Sequence, residues 1–246
     1  MSEKKANKWD EKAKNYARYS PSQENFEADV LRKLESLGVD FKNKTVLDIG
    51  CGTGVYTIRV AKLAKSVDGL DFSNSMLEIL RVDFEKLGIK NIKTYHTTWS
   101  DFVLPPFKYN IALCTMSPAI KTNDDLRKLH RSSAVKIYLG WAGVRDSTIL
   151  DELFVAHGSV YSPPNGAKRV KKWLHVEGIE YRVENFEELK IKTRSFKEAV
   201  ENYTWHLKIR GLEPDVQKIK EILNPLKNED GNIVEKTVNK MDLIVW

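Results

Sequence analysis

Cysteine is almost absent from this chain: its 246 residues include two, Cys51 and Cys114. Two cannot build a disulfide framework or a cysteine zinc cluster, which excludes the small stapled secreted folds and the structural zinc modules. Long apolar runs are missing as well. No stretch approaches the roughly 18 apolar residues that cross a bilayer as a helix, so no membrane partner is expected. The opening MSEKKANKWDEKAKNY carries positive charge with no apolar segment after it, which argues against a secretory signal. Both features point to the cytoplasm. Internal repeats, low-complexity tracts and obvious linkers are also lacking, which favours a single domain over 1–246.

The residues that are present are those of an ordinary globular protein: 41% hydrophobic, 10% aromatic and 30% charged, enough apolar side chains to close a core rather than stay disordered. Lys plus Arg number 40 against 34 Asp plus Glu, a net charge of +6. A basic balance invites a phosphate-backbone partner, but its distribution does not favour one. Residues 1–146 hold 24 basic and 18 acidic side chains, whereas 147–246 hold 16 of each. The densest basic clusters are Lys4, Lys5, Lys8, Lys12 and Lys14 in the tail, and Lys168, Arg169, Lys171 and Lys172 on an expected helix. Each is as easily a solvated face.

The periodicity changes along the chain. Trp9, Ala13, Tyr16 and Ala17, then Phe26, Val30, Leu31, Leu34 and Leu37, recur at helical spacing, with Ser20-Pro21 between the two sets and Gly38 closing the second. Beyond them, β-rich runs at 45–49, 66–70, 92–96, 109–115 and 135–141 are separated by helical patterns at 55–65, 74–87 and 124–133. Further helices are expected at 147–157, 167–176, 195–210 and 216–223, with strands near 179–185 and 241–246. Strands alternating with helices predict an α/β fold, a mostly parallel sheet covered on both faces.

The sharpest motif is Val46-Leu47-Asp48-Ile49-Gly50-Cys51-Gly52-Thr53-Gly54. An apolar strand delivers an acid and then glycines at every second position, so that backbone without Cβ atoms can approach a ligand closely. Dinucleotide-binding loops space their third glycine differently and rest a pyrophosphate on the helix that follows. A carboxylate beside the loop would repel a pyrophosphate and suits a cation such as a sulfonium or ammonium. A second acid follows about twenty residues on, in Val67-Asp68-Gly69-Leu70-Asp71-Phe72-Ser73. At the end of an adjacent strand, Asp71 can accept both hydroxyls of a ribose, and Phe72 could lie against its base.

Together with Asn110-Ile111-Ala112-Leu113-Cys114-Thr115-Met116-Ser117-Pro118, this order resembles the class I S-adenosylmethionine-dependent methyltransferases over about residues 40–145, and among them the small-molecule, UbiE-like group. The resemblance implies a Rossmann-like methyltransferase fold, a doubly wound seven-stranded sheet whose last strand is antiparallel. It implies S-adenosyl-L-methionine as cofactor, with Asp48 and the backbone of Gly50, Cys51, Gly52 and Gly54 around the methionine portion. Asp71 would hold the ribose and Phe72 would flank the adenine. Where many relatives place an acid for the adenine amino group, this chain has Thr98, leaving Trp99 and Asp101 as candidates. Cys114 and Thr115 fall where the fourth strand meets the cofactor. An N-terminal helical lid, 1–38, would bring Trp9, Tyr16 and Tyr19 over the site.

In-line transfer of an activated methyl group needs alignment and dryness more than proton chemistry, and no metal. Met116-Ser117-Pro118-Ala119-Ile120 lacks the acid or amide followed by Pro-Pro-aromatic of exocyclic amino methyltransferases, and Cys114 lacks the neighbouring proline of the cytosine C5 enzymes. Asn123-Asp124-Asp125 reads as a helix start rather than a metal site. A small-molecule acceptor is therefore expected, with an acceptor-binding extension at 157–210 carrying Tyr161, Trp173, His175, Tyr203, Trp205 and His206. His157, His175 and His206 are candidate bases and no catalytic residue is assigned. Arg145 could pair an acceptor carboxylate or bond Asp146. An RNA methyltransferase and a non-catalytic cofactor-binding module are the rival readings.

Overall fold

The structure, a computed structural model, describes residues 3–246. Side chains of residues 3–7 and of Thr148 lie outside the described residues, and with them Lys4 and Lys5 of the basic tail and the first two residues of the expected lid. In chain order the elements are α1 (Glu3–Ala13), α2 (Phe26–Ser36), β1 (Thr45–Ile49), α3 (Thr57–Ala61), β2 (Ser66–Asp71), α4 (Asn74–Lys86), β3 (Ile92–His96), β4 (Tyr109–Thr115), α5 (Asn123–Ser132) and β5 (Ser133–Asp146). Then come α6 (Thr148–Ala156), α7 (Gly166–Val176), β6 (Arg182–Ser195), α8 (Phe196–Ile209), α9 (Val216–Leu223) and β7 (Asn232–Val245).

Seven strands form one sheet in the order β3-β2-β1-β4-β5-β7-β6. The first five pair in parallel, Asp48 lying opposite Gly69 on one side and Leu113 on the other. Val46, Leu47 and Ile49 have no exposed surface, as expected of a central strand covered on both faces. The reversal comes with β7. Lys136 and Trp246 exchange both backbone hydrogen bonds, at 2.9 and 3.1 Å, the signature of an antiparallel pair. Along β6 and β7 the partners run in opposite directions: Asn185 with Asp242, Glu187 with Lys240, Glu188 with Asn239, and Arg194 with Glu235.

The chain divides into two compact units. One takes the chain up to Ala142 with Asn165–Asn185 and Met241–Trp246; the other is Gly143–Pro164 with Phe186–Lys240. The expected extension at 157–210 is thus shared, 165–185 belonging to the first. In the first unit Leu47, Ile49, Leu70, Leu126, Trp173 and Ile244 belong to one buried cluster. In the second, Leu150, Leu153, Tyr203, Leu207, Ile219 and Ile233 form another, supplied by α6, α8, α9 and β7.

Element ends follow local chemistry. Ser73 caps α4 by accepting from the Met76 amide, and Thr122 and Asp125 form a reciprocal capping box on α5, so Asp125 starts a helix as expected. Three expectations shift. α3 is confined to Thr57–Ala61 because the glycine loop turns through Gly54, φ +83°, before the helix begins. α1 stops at Ala13, so Tyr16 and Tyr19 leave it on non-helical chain. The strands expected at 179–185 and 241–246 are each 14 residues long, at Arg182–Ser195 and Asn232–Val245.

Candidate functional site

The loop after β1 is set by three glycines in the left-handed region, Gly50, Gly52 and Gly54, with φ of +70°, +54° and +83°. They serve different ends. A Cβ on Gly50 would fall 1.9 Å from Ser117 Oγ, and one on Gly54 would fall 2.2 Å from Leu80 Cδ1, so these two allow close packing. A Cβ on Gly52 would meet nothing within 4 Å. The chain is bare there and faces open space.

Two acids accompany this loop, Asp48 before it in the chain and Asp71 hydrogen-bonded to it. Asp48 is 1% exposed; its Oδ2 accepts from Thr57 Oγ1 at 2.6 Å and its Oδ1 has no partner. Burial pushes its carboxyl up to about 7, opposed by the Thr57 hydrogen bond and reinforced by the charge of Asp71. Asp71, at the end of β2, accepts from the backbone N–H of Gly52 through Oδ2 and of Ser73 through Oδ1, both at 2.9 Å. Its carboxyl is also raised by burial, with the Ser73 and Gly52 amides pulling the other way. Asp71 therefore holds the glycine loop and the α4 turn against each other while remaining at the opening.

The N-terminal segment is seated on the same elements. Asp10 of α1 accepts from Ser73 Oγ at 2.5 Å and from the Ser75 amide at 3.1 Å, adding an anion to the start of α4. Thr53 Oγ1 donates to the Ala17 carbonyl at 2.5 Å. Buried Arg59 donates through Nη2 to the carbonyls of Ser20 and Ser22 and to Asn25 Oδ1, and Arg18 pairs with Asp83. Tyr16 meets Trp9 edge-on at 6.0 Å, and burial together with the Asp71 charge raises its phenol pKa. Tyr19 goes elsewhere. Its ring sits under Lys62 Nζ at 4.8 Å and near Arg59 at 5.6 Å, and its hydroxyl accepts from Lys62.

Beside the loop is a cavity of about 410 Å³ lined by Gly50, Asp71, Phe72, Thr98, Trp99 and Lys128 among others. The structure thus brings Gly50, Asp71, Phe72 and Trp99 together on one cavity. Trp99 contributes as a fixed wall: it is 2% exposed, its indole N–H donates to the Asp125 carbonyl at 3.2 Å, and Lys128 Nζ lies 4.4 Å above the ring. Asp101 instead accepts from Thr98 Oγ1 at 2.5 Å and is absent from the lining. Cys51 has its backbone engaged, its amide donating to the Leu70 carbonyl at 3.0 Å and its carbonyl accepting from the Gly54 amide at 2.9 Å, with its Sγ packing where a Cβ of Gly69 would stand 3.1 Å away. Cys114 is fully buried in the β4 core. Burial raises both thiols and neither is a thiolate nucleophile.

Other candidates are not among the residues that line that cavity. His157 is committed at both nitrogens, Nδ1 to the Leu153 carbonyl at 2.7 Å and Nε2 to the Asp215 amide at 3.0 Å, which leaves no free base. Trp173 belongs to the first unit's core, edge-on to His130 at 6.1 Å, and His175 is exposed in the last turn of α7. His206 packs against Trp205 at 5.1 Å in the second unit. Sequence reasoning missed Thr57, Ser117, Lys128 and Asp10. Thr57 had a usable signal, since it opens the helix after a glycine loop that follows an acid; the others are linked to the site only by tertiary contact.

Residues 46–134 match the family described as a methyltransferase domain. An uncharacterized protein of Haemophilus influenzae is 30% identical over 149 residues, 59% of this chain and 53% of its own length. The chain spans from about a fifth to about half the length of the curated relatives it matches. Among solved structures, the YcgJ protein of Bacillus subtilis is 15% identical with a TM-score of 0.59, covering 89% of this chain and 97% of that one. A SAM-dependent methyltransferase of Aquifex aeolicus is 20% identical with a TM-score of 0.50, over 73% and 90%. The fold is the Rossmann-like methyltransferase fold.

Proposed function

We propose that this protein is an S-adenosylmethionine-dependent methyltransferase acting on a small molecule at O, N or S, in the manner of the UbiE-like group, and working in the cytoplasm. The observation that carries the reading is the pair formed by Asp48 Oδ1, buried and without a partner, and Gly52, whose missing Cβ leaves open space. A carboxylate withdrawn from water without a cation is costly, and a ligand bearing an ammonium and a sulfonium supplies what Asp48 lacks. Asp71 and Phe72 suit a ribose and its base, with Trp99 closing the cavity beyond them. Tyr16 and Trp9 fit a cover that excludes water over Asp71. When bound, the cofactor supplies an electrophilic methyl group already activated by positive charge.

The chain's own residues then bind, orient and dry the site. Asp48 would hold the ligand cation in its ionised form, its proton passing to solvent, and Thr57 fixes its Oδ2. Asp71, fixed by two backbone amides, presents its remaining lone pairs to hydroxyl donors. Replacing Asp71 with Ala removes those charge-assisted bonds and should weaken S-adenosylhomocysteine by about 10- to 100-fold, from ~1–3 kcal/mol. Calorimetric titration reads this; unchanged affinity would overturn the assignment. Single-turnover incubation with methyl-labelled cofactor and fractionated extract tests the acceptor class. Label in small molecules is expected, label in RNA would replace the acceptor, and no S-adenosylhomocysteine from any fraction would leave a binding module.

A further inference from the structure

β6 stands last in the strand order, so one of its edges is open. Among the described residues no strand lies beyond it, and no turn or loop backbone bonds to 187–194. The strand is long, 14 residues from Arg182 to Ser195. The edge at the other end of the order, β3, has 5 residues and no exposed large apolar side chain, which is how proteins usually keep an edge harmless. On β6 the opposite holds. Leu189 and Ile191 are 61% and 55% exposed, and Lys190, Lys192 and Thr193 around them are exposed as well. An open row of N–H and C=O groups with apolar side chains in its middle is a template for another strand.

Alternation puts Glu188, Lys190 and Lys192 on one face of β6 and Glu187, Leu189 and Ile191 on the other. Lys190 Nζ lies 3.8 Å from Glu188 Oε1 on the first face, and Glu187 pairs with Lys240 at 3.2 Å on the second. A lysine on an edge usually repels an incoming strand, but here the outcome depends on register. When two copies of one strand pair antiparallel about a two-fold axis, one residue faces its own copy. Centring on Glu187, Glu188, Lys190 or Lys192 sets a charge against itself. Centring on Ile191 sets Lys190 against Lys192, and centring on Thr193 sets Lys192 against Arg194. Leu189 alone in this run avoids conflict: it faces its own copy, and each Glu188 faces Lys190 of the second chain.

We propose that the open edge of β6 is a self-association surface, on which a second copy of this chain adds the same strand antiparallel, centred on Leu189. Backbone hydrogen bonds join the two strands. On one face the two Leu189 side chains meet, each with Ile191 of the other chain on the diagonal, and on the other face two Glu188–Lys190 pairs select the register. Such cross-strand pairs contribute about 0.2–1 kcal/mol each, so the dimer is reversible. It is also closed, because the two-fold arrangement uses the same edge of both copies and leaves none for a third. The proposal stands apart from the methyl-transfer reading and does not depend on it.

Sedimentation equilibrium of the full chain over a wide concentration range is expected to show monomer and dimer and nothing larger. Lys190→Glu sets acids against acids and Glu188→Lys sets lysines against lysines, so each should weaken dimerisation at least tenfold. An equimolar mixture of the two variants should regain it, since every facing pair is again of opposite sign. Mild oxidation of Leu189→Cys should give a covalent dimer, because facing Cα atoms of an antiparallel pair stand about 4.5–5.5 Å apart, within disulfide reach. Ile191→Cys should not, its two copies lying about 14 Å apart in this register. The native cysteines are buried and do not compete, and circular dichroism identifies any variant that fails to fold. A parent that stays monomeric, growth beyond the dimer, a dimer indifferent to Lys190→Glu, a mixture no better than its components, or Ile191→Cys crosslinking ahead of Leu189→Cys would each overturn the proposal.

Discussion

Both units of this protein take carboxylates out of water, and Glu235 of the second is handled in the opposite way to Asp48 of the first. In the second unit Glu235 is met by Arg194 at 2.6 Å, a cation the chain itself provides. In the first unit Asp48 receives only the Thr57 hydroxyl, keeps one oxygen unpartnered and is pushed up to about 7. A carboxylate supplied with its own cation is structure, whereas one left to recruit a cation is a receptor. The contrast also predicts which of the two tolerates neutralisation.

The largest effect is expected at the internal pair. Glu235→Leu strands a guanidinium that is 19% exposed and should cost ~3 kcal/mol or more in urea unfolding. The double variant Glu235→Leu/Arg194→Met should recover most of that loss; equal losses in single and double variants would show that the pair is not what the site stands on. Asp48→Asn should behave in the reverse sense. The Asp48 carboxyl, ordinarily ionising at 3.8, is raised in the folded protein, so its stabilising contribution is complete below about pH 4 and is lost as pH climbs to about 7. Without cofactor, the Asp48→Asn variant is thus expected to be more stable than the parent at pH 8 and to gain nothing at pH 4. A melting curve at each pH distinguishes these.

Next in size is the pH dependence of ligand uptake. Binding the ligand's ammonium group requires Asp48 to be ionised, so below about pH 7 the affinity for S-adenosylhomocysteine should fall by ~10-fold per pH unit. Above pH 7 it should level off. Asp48→Asn should bind weakly with a flattened slope, and proton release measured by calorimetry in two buffers checks the same point. A slope unchanged in the variant would move the effect to another group.

Gly52→Ala and Gly54→Ala separate cradle from packing. Both place alanine at positive φ, at ~1 kcal/mol or more of strain, but only Gly54 adds a collision with Leu80. Gly54→Ala should lose the more stability, and Gly52→Ala should lose ligand affinity beyond what its small stability change explains. The smallest effect is at Asp10. Its replacement by Ala removes the extra anion at the α4 start, worth ~0.5–1 kcal/mol, and should raise the cofactor dissociation constant by only a few-fold.

How much of this could be read in advance follows the same division. β1 and β4 were legible because most of their residues are apolar on both faces, as a central parallel strand requires, and β2 because its short β-rich run ends in Asp71. The candidates Asp48, Gly52, Asp71 and Phe72 were chosen from these strands and the turns after them. The outer parts of β6 and β7 were not legible because the inward positions Glu235, Thr237 and Asn239 are polar, so the apolar alternation that marks a half-buried strand is missing. Tyr19 and Cys114 fail for a plainer reason: chain position near a site does not say which way a side chain turns, and these two are engaged by Lys62 and by the β4 core.

Arg59 has a consequence for synthesis. The segment from Ala17 to Asn25 finds its hydrogen-bonding partners at Thr53 and Arg59, and Asp10 and Arg18 find theirs at Ser73, Ser75 and Asp83. This stretch emerges from the ribosome ahead of every group that seats it. It therefore settles only after α4 has been made, over a glycine loop that has already been synthesised.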